Sequence, residues 1–205
     1  MQDVWDRCVA RFSQTTDALG KSIDPEIFEL VVALNVLNIP TVMSCGGHID
    51  DGRGLLLPWV DIEPSDPSLD RLKQKEQQLI ESAKQMHLHI TRLRQDRVEA
   101  AQFKEAQRKA SEVYEHLHAV QREIRMLQAA LRTHLADYLA LFYAERQVPF
   151  DRRLVLSGLD RTRLQSQGAL DFYLAAPVSV QRQKLQEYRE EMATFASFLK
   201  RIYFS

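Results

Sequence analysis

The sequence contains only two cysteines in 205 residues, Cys8 and Cys45, so it lacks the dense disulfide framework of small secreted domains. No uninterrupted apolar run approaches the roughly 20 residues that a membrane-spanning helix requires. The first residues do not follow the basic-then-apolar order of a signal peptide. We therefore expect a cytoplasmic protein with reduced thiols and no membrane segment.

A strong net charge is also missing, because the formal charge of the chain is -1. The charges are unevenly distributed: residues 1–66 have a net charge of -7, whereas residues 67–147 and 148–205 each have +3. Segments of opposite charge can complement each other within one fold. Phosphate backbones need a concentrated basic surface, so binding to nucleic acid is not expected.

Glycine and proline are absent from the 81 residues between Pro67 and Pro149. Apolar residues recur there at intervals of three and four, which is typical of a coiled coil. The two apolar stripes consist of Leu72, Leu79, Ala83, Met86, Ile90 and Leu93, and of Val113, Leu117, Val120, Ile124, Leu127 and Leu131. The apolar pattern is weaker over residues 99–112. We predict a helical hairpin that turns near residues 100–110; one continuous helix in an elongated dimer is the alternative.

Helix and strand patterns alternate on both sides of this region. Helices are predicted over residues 3–19, 25–37 and 177–204, where apolar residues fall on one helical face. Asp24-Pro25 is a helix start in which the carboxylate is expected to cap the first free amides.

Short strands are predicted at residues 41–43 and 55–62, as antiparallel neighbours, and as a hairpin within residues 152–168. Pro58 should interrupt the second of these strands or place it at a sheet edge. The sequence thus predicts a mostly helical α+β protein. Residues 1–66 and 148–205 should form a small head with a few antiparallel strands, and residues 67–147 a coiled-coil arm.

The segment 41–48 is the one place where a thiol, an imidazole and two glycines converge. Cys45 and His48 have the two-residue spacing that lets one turn present both side chains to a metal ion. Asp50 and Asp51 follow closely and are the further candidate ligands. This pattern makes the turn a candidate zinc site.

The same turn admits two other interpretations. Cys45 can be a nucleophile that the imidazole of His48 activates. Ser44, Gly46 and Gly47 are then candidates for binding a cofactor or an anion, since glycines let a ligand approach the backbone amides. In the structural interpretation, the glycines form a tight turn, Cys45 is packed and His48 is solvated.

Residues 21–49 resemble a pattern in uncharacterised bacterial proteins that carry a Ser-Cys-x-Gly-His motif, here within Ser44-Cys45-Gly46-Gly47-His48. A remoter and local resemblance is to the N-terminal motif of the wybutosine-synthesis methyltransferase family, which modifies tRNA and uses S-adenosylmethionine. The residues that carry it are Gly20, Asp24, Asn35, Thr41, Ser44, Cys45 and Gly47. That family has Ser at the position of Gly46 and Arg at the position of His48. The resemblance implies a nucleotide-related role and assigns no catalytic residue.

Two functions of different class are compatible with these patterns. In the first, the protein is a soluble interaction or scaffold protein whose coiled-coil arm mediates self-association or binds a protein partner. In the second, it is a metal- or small-ligand-binding protein, or an enzyme, that uses the turn of Cys45 and His48.

Overall fold

A computed structural model describes residues 1–50, 54–96, 99–144, 146–158, 161–169 and 173–205. It has the predicted mostly helical α+β fold. The helices are α1 (Gln2–Ser13), α2 (Pro25–Val36), α3 (Pro67–Gln95), α4 (Ala100–Tyr143) and α5 (Val178–Phe204). The strands are β1 (Thr41–Cys45), β2 (His48–Asp50), β3 (Gly54–Leu56), β4 (Trp59–Ile62), β5 (Leu154–Ser157) and β6 (Thr162–Ser166).

The described contacts divide the chain into two compact units. Residues 1–64 with 130–205 form one, which we call the mixed unit because it contains all of the described strands. Residues 65–129 form the other, which we call the helical unit. Helix α4 contributes residues to both.

In the mixed unit, four strands form an antiparallel sheet in the order β1-β4-β6-β5, so β1 lies at one edge. The strands β2 and β3 form a separate two-stranded sheet. The predicted pairing of the first two strand regions is confirmed, because Cys45 lies opposite Trp59 and Ser44 opposite Val60. The interruption predicted at Pro58 is also present, between β3 and β4.

The core of the mixed unit lies around α2, which packs against α1, α5 and β1. Residues 30–34 of α2 are all buried, and five consecutive residues cannot share one helical face. The helix is therefore covered on several sides. Helix α5 contributes a buried stripe that includes Tyr188, Met192, Phe195 and Leu199, as the sequence pattern predicts. In the N-terminal half of α5, Leu185 and Tyr188 pack against Leu55 and Leu57.

The prediction of a helix through Leu19 is wrong at its C-terminal end, since α1 ends at Ser13. The carboxylate of Asp17 accepts hydrogen bonds from the amides of Leu19 and Lys21, at 2.8 and 2.9 Å. Gly20 has a φ of +76°, which also favours a turn over a helix. Leu19 is exposed. Local hydrogen bonds of an aspartate compete here with helix extension.

The cap predicted at Asp24 is also wrong, although α2 begins as expected at Pro25. The side chain of Asp24 makes no capping hydrogen bond. Its Oδ2 instead accepts a hydrogen bond from the amide of Gly46, 22 residues later in the chain. The carboxylate thus belongs to the glycine turn between β1 and β2.

The helical unit is the predicted hairpin of α3 and the first part of α4. Leu69, Val120 and Ile124 form its buried cluster, and residues of the predicted stripes, Leu72, Leu79 and Leu127, pack against it. Helix α3 ends at Gln95 and α4 begins at Ala100, so the helices meet slightly before residues 100–110, where the turn was predicted. The carboxylate of Asp66 caps α3, because it accepts a hydrogen bond from the amide of Ser68 at 2.8 Å.

Candidate functional site

Strand β1 ends at Cys45 and β2 begins at His48, so that only Gly46 and Gly47 separate these two strands. The Sγ of Cys45 lies 3.9 Å from the Nδ1 of His48. The amide of Gly47 approaches the same sulfur at 3.4 Å. The structure therefore brings together the thiol and the imidazole that the sequence pattern singles out, with the thiol half-buried and the imidazole exposed.

Both glycines of the turn are buried, and neither leaves space for a side chain. A Cβ on Gly46 would lie 2.9 Å from the Cβ of Asp24. A Cβ on Gly47 would lie 2.6 Å from the Cδ1 of Leu185 and 2.8 Å from the carbonyl oxygen of Leu56. Gly47 also has a φ of +76°, which residues other than glycine rarely adopt. The close approach of the surrounding chain requires glycine at both positions.

Two charged side chains that are distant in the sequence hold the turn: Asp24, directly before α2, and Arg189, in α5. The amide of Gly46 donates to Asp24 at 2.6 Å. Arg189 of α5 donates from Nε to the carbonyl of Gly46 at 2.8 Å and from Nη2 to that of Gly47 at 2.6 Å. Its Nη1 lies 3.2 Å from a carboxylate oxygen of Glu26. The turn is thus fixed on its amide side by α2 and on its carbonyl side by α5.

The site role of Arg189 is not predictable from the sequence, because this residue lies 142 residues after Gly47. An arginine on the polar side of an amphipathic helix has no local signal that distinguishes it from a solvated one. Asp24 has a clear sequence pattern, but that pattern predicts a helix cap, because an aspartate directly before a proline is typical of a helix start.

A cleft of about 420 Å³ opens beside the turn. One wall consists of β1 and His48, and the other includes the segment between α1 and α2. Its lining residues are Phe12, Thr15, Thr16, Asp17, Lys21, Ser22, Ile23, Asp24, Val31, Thr41, Val42, Met43, Ser44, Cys45 and His48. The lining therefore combines hydroxyl groups and charged groups with apolar side chains.

Burial raises the pKa of the Cys45 thiol. The amide of Gly47 opposes this shift, while the carboxylate of Asp24 adds to it. At neutral pH the sulfur is accordingly a thiol, which is a weak nucleophile. This environment favours a packed or hydrogen-bonding role for Cys45, and covalent catalysis by Cys45 and His48 stays a prediction.

For zinc, the two ligands of the turn are near the required separation, since a tetrahedral ion with one sulfur and one nitrogen ligand places them about 3.5 Å apart. Among the described residues, no group of three or more His, Cys, Asp or Glu side chains could hold a metal ion. The candidate ligand Asp51 and the side chain of Asp50 lie outside the described residues. The predicted zinc site therefore stays a prediction.

The outer face of the sheet has a feature that sequence analysis missed. Arg163 donates to both carboxylate oxygens of the buried Asp61, at 2.7 and 2.9 Å. Its guanidinium also lies 3.8 Å from the ring centroid of Trp59, the strand partner of Cys45. A bidentate pair on neighbouring strands rigidifies β4 and β6, and so supports the position of β1 beside them.

Comparison with protein-family models, with curated proteins and with solved structures found no match to this chain. Within the described residues, none of the helices has both the length and the apolar character needed to cross a membrane.

Proposed function

We propose that this protein binds a ligand in the cleft beside Ser44, Cys45 and His48. The observation that carries the proposal is the fixation of the glycine turn by Asp24 and Arg189. A connection between two strands needs neither a bidentate arginine nor a contact with a carboxylate 22 residues earlier in the chain, whereas a binding site gains from a preorganised wall.

The size and lining of the cleft support this proposal. Ligand pockets have volumes of about 300–1,000 Å³ and combine an apolar surface with a few polar groups that fix orientation. The cleft, at about 420 Å³, lies within this range. Its hydroxyl groups include those of Thr41 and Ser44, and its carboxylates are those of Asp17 and Asp24. Four of the residues behind the resemblance to the wybutosine-synthesis family line the same cleft, so a nucleoside is one ligand to test.

The experiment is a fragment titration of the full-length, ¹⁵N-labelled protein, with adenosine, S-adenosylmethionine and small capped peptides as probes. We expect at least one probe to shift the amide resonances of residues 41–45 and of Ser22. The variant Ser22→Trp should remove the shifts, because Ser22 is an exposed residue of the cleft wall. The control Ser111→Trp changes an exposed serine of the helical unit and should leave them unchanged.

The proposal fails if no probe shifts these resonances, or if the shifts persist in Ser22→Trp at wild-type amplitude. Metal binding is tested separately by titrating zinc into the wild-type protein and into Cys45→Ser. Loss of zinc binding in the variant would support the metal-ligand prediction.

We also propose that the helical unit mediates self-association as a coiled coil. Helix α3 buries only two of its 29 residues, Leu69 and Ala83. Leu88 and Met126 are 58% and 74% exposed, so apolar surface remains on both helices of the hairpin. A second copy of the hairpin would cover it.

Light scattering at several concentrations tests this second proposal. We expect a dimer that Leu88→Lys and Met126→Lys weaken and that Gln107→Lys, at an exposed polar position, leaves intact. A monomer at all concentrations contradicts it.

A cytoplasmic location is part of the proposal, because a reducing compartment keeps Cys8 and Cys45 as the free thiols they are in the structure.

A further inference from the structure

The edge strand β1 forms a continuous wall of the cleft. All five of its residues, 41–45, line the cleft. On one side β1 pairs with β4, and no other described strand pairs with its second side. An edge strand presents a row of backbone N–H and C=O groups that another chain can pair with. The cleft therefore lies along an unused hydrogen-bonding edge.

We propose that the ligand of this cleft is an extended peptide segment that pairs with β1 as an additional strand. The inference rests on the proposed ligand-binding function and names the class of ligand. Strand addition derives affinity from main-chain hydrogen bonds and specificity from alternate side chains. Since a strand rises about 3.3 Å per residue, a partner for the five residues of β1 has about five residues and spans about 17 Å.

A free peptide fits this edge better than a second copy of the same strand. The segment between α1 and α2 forms the opposite wall of the cleft, through residues such as Thr16 and Ser22. Those two residues are themselves joined by an isolated antiparallel bridge, which stiffens the wall. In a symmetric pairing of β1 with β1 of a second copy, the segment between α1 and α2 of each copy would also have to fit at the shared edge. A single peptide strand has no such segment.

The charges of the cleft indicate the side chains that the peptide carries. Asp17 and Asp24 line it against a single lysine, Lys21, within a segment whose net charge from residue 1 to residue 66 is -7. Basic side chains on the peptide complement this surface. Val42 and Met43 are 46% and 55% exposed on β1, and offer contacts to apolar side chains of the peptide.

The probe is acetyl-Val-Lys-Val-Lys-Val-amide, titrated into the full-length protein by NMR. We expect saturable shifts at residues 41–45 and slower hydrogen exchange of their outward amides. The charge-reversed peptide, acetyl-Val-Glu-Val-Glu-Val-amide, should bind at least about tenfold more weakly because the cleft is acidic. Ser22→Trp should abolish binding, and Ser111→Trp should leave it intact.

The decisive comparison uses two N-methylated forms of the same peptide. In a paired strand, the amides of alternate residues point toward the neighbour. Methylation of one alternate set should therefore weaken binding at least tenfold, as expected from losing about two main-chain hydrogen bonds, while methylation of the other set should have little effect. This comparison uses the wild-type protein and does not depend on the folding of a variant.

Equal effects of both N-methylated peptides would overturn the inference, because recognition would then depend on side chains alone. Failure of the peptides while adenosine or S-adenosylmethionine shifts residues 41–45 would also overturn it, and would leave the proposed ligand-binding function standing. Pairing of β1 between two copies, detected as a dimer that Val42→Lys dissociates, would overturn it as well. Failure of every probe at the cleft would refute the ligand-binding proposal itself.

Discussion

Replacing Gly47 by alanine tests whether the site turn is as tightly enclosed as the structure indicates. The residue combines a φ of +76° with close neighbours: the Cδ1 of Leu185 at 2.6 Å from an added Cβ and the carbonyl oxygen of Leu56 at 2.8 Å. Gly20 is a matched control in the same unit. It has the same φ of +76°, but no atom lies within 4 Å of its added Cβ.

The two substitutions share a backbone cost and differ in a packing cost. An L-residue in the left-handed region costs about 1–2 kcal/mol, and this is the full effect expected for Gly20→Ala. Inserting a methyl group into a filled site costs about a further 1–3 kcal/mol. We therefore expect Gly47→Ala to lower the free energy of unfolding by about 2–5 kcal/mol. The difference between the two variants, about 1–3 kcal/mol, isolates the enclosure of the turn.

Urea unfolding followed by tryptophan fluorescence measures this difference, because both tryptophans, Trp5 and Trp59, belong to the mixed unit. The double variant Gly47→Ala with Leu185→Ala, compared with Leu185→Ala alone, should recover part of the packing cost. Recovery should be incomplete, since the backbone oxygen of Leu56 remains. Equal unfolding midpoints for Gly20→Ala and Gly47→Ala, at equal slopes, would refute the enclosed turn.

Two further predictions concern the groups around the turn. Arg189→Lys should lower the free energy of unfolding by about 1–2 kcal/mol in the same urea assay, because an ammonium group cannot bond both glycine carbonyls in the fork geometry of a guanidinium. Wild-type stability of this variant would contradict the bidentate contact. In a Cys8→Ser background, alkylation of Cys45 by iodoacetamide should increase with pH around a midpoint above the usual thiol value of about 8.5, because burial raises the pKa. Asp24→Asn should lower that midpoint, since the carboxylate raises the pKa of Cys45. A midpoint below pH 8 in the protein with wild-type Asp24 would contradict the prediction, because the sulfur would then be a stabilised thiolate.

The parts of the fold that the sequence predicts are those with a local cause. Asp24-Pro25 marks the start of α2, Pro58 separates β3 from β4, and the absence of glycine and proline after Pro67 predicts the long helices. The first two signals act through the conformation of one or two residues, and the third is the lack of residues that would break a helix. Such effects are readable without knowledge of the tertiary structure.

The site was predictable only in part, because some of its contacts have no local cause in the sequence. The meeting of Cys45 with His48 follows from their spacing on one turn. The contacts of Arg189 depend on the packing of α5 against α2, which no local pattern specifies. The end of α1 was missed because the pattern of apolar residues continues to Leu19, while the hydrogen bonds of Asp17 already favour a turn.

Asp24 shows how the fold exchanges local stability for the geometry of the site. A capping aspartate typically contributes about 1 kcal/mol to its helix, and α2 forgoes this contribution because the carboxylate accepts from Gly46 instead. A hydrogen bond to a charged acceptor is worth about 1.5–3 kcal/mol, so the long-range contact can offset the lost cap. The exchange changes what the residue stabilises: a cap would secure α2 alone, whereas the observed contact ties the start of α2 to the turn that carries Cys45. Departures from local rules with a compensating distant contact are typical of functional sites, and this one places the carboxylate at the wall of the proposed peptide cleft.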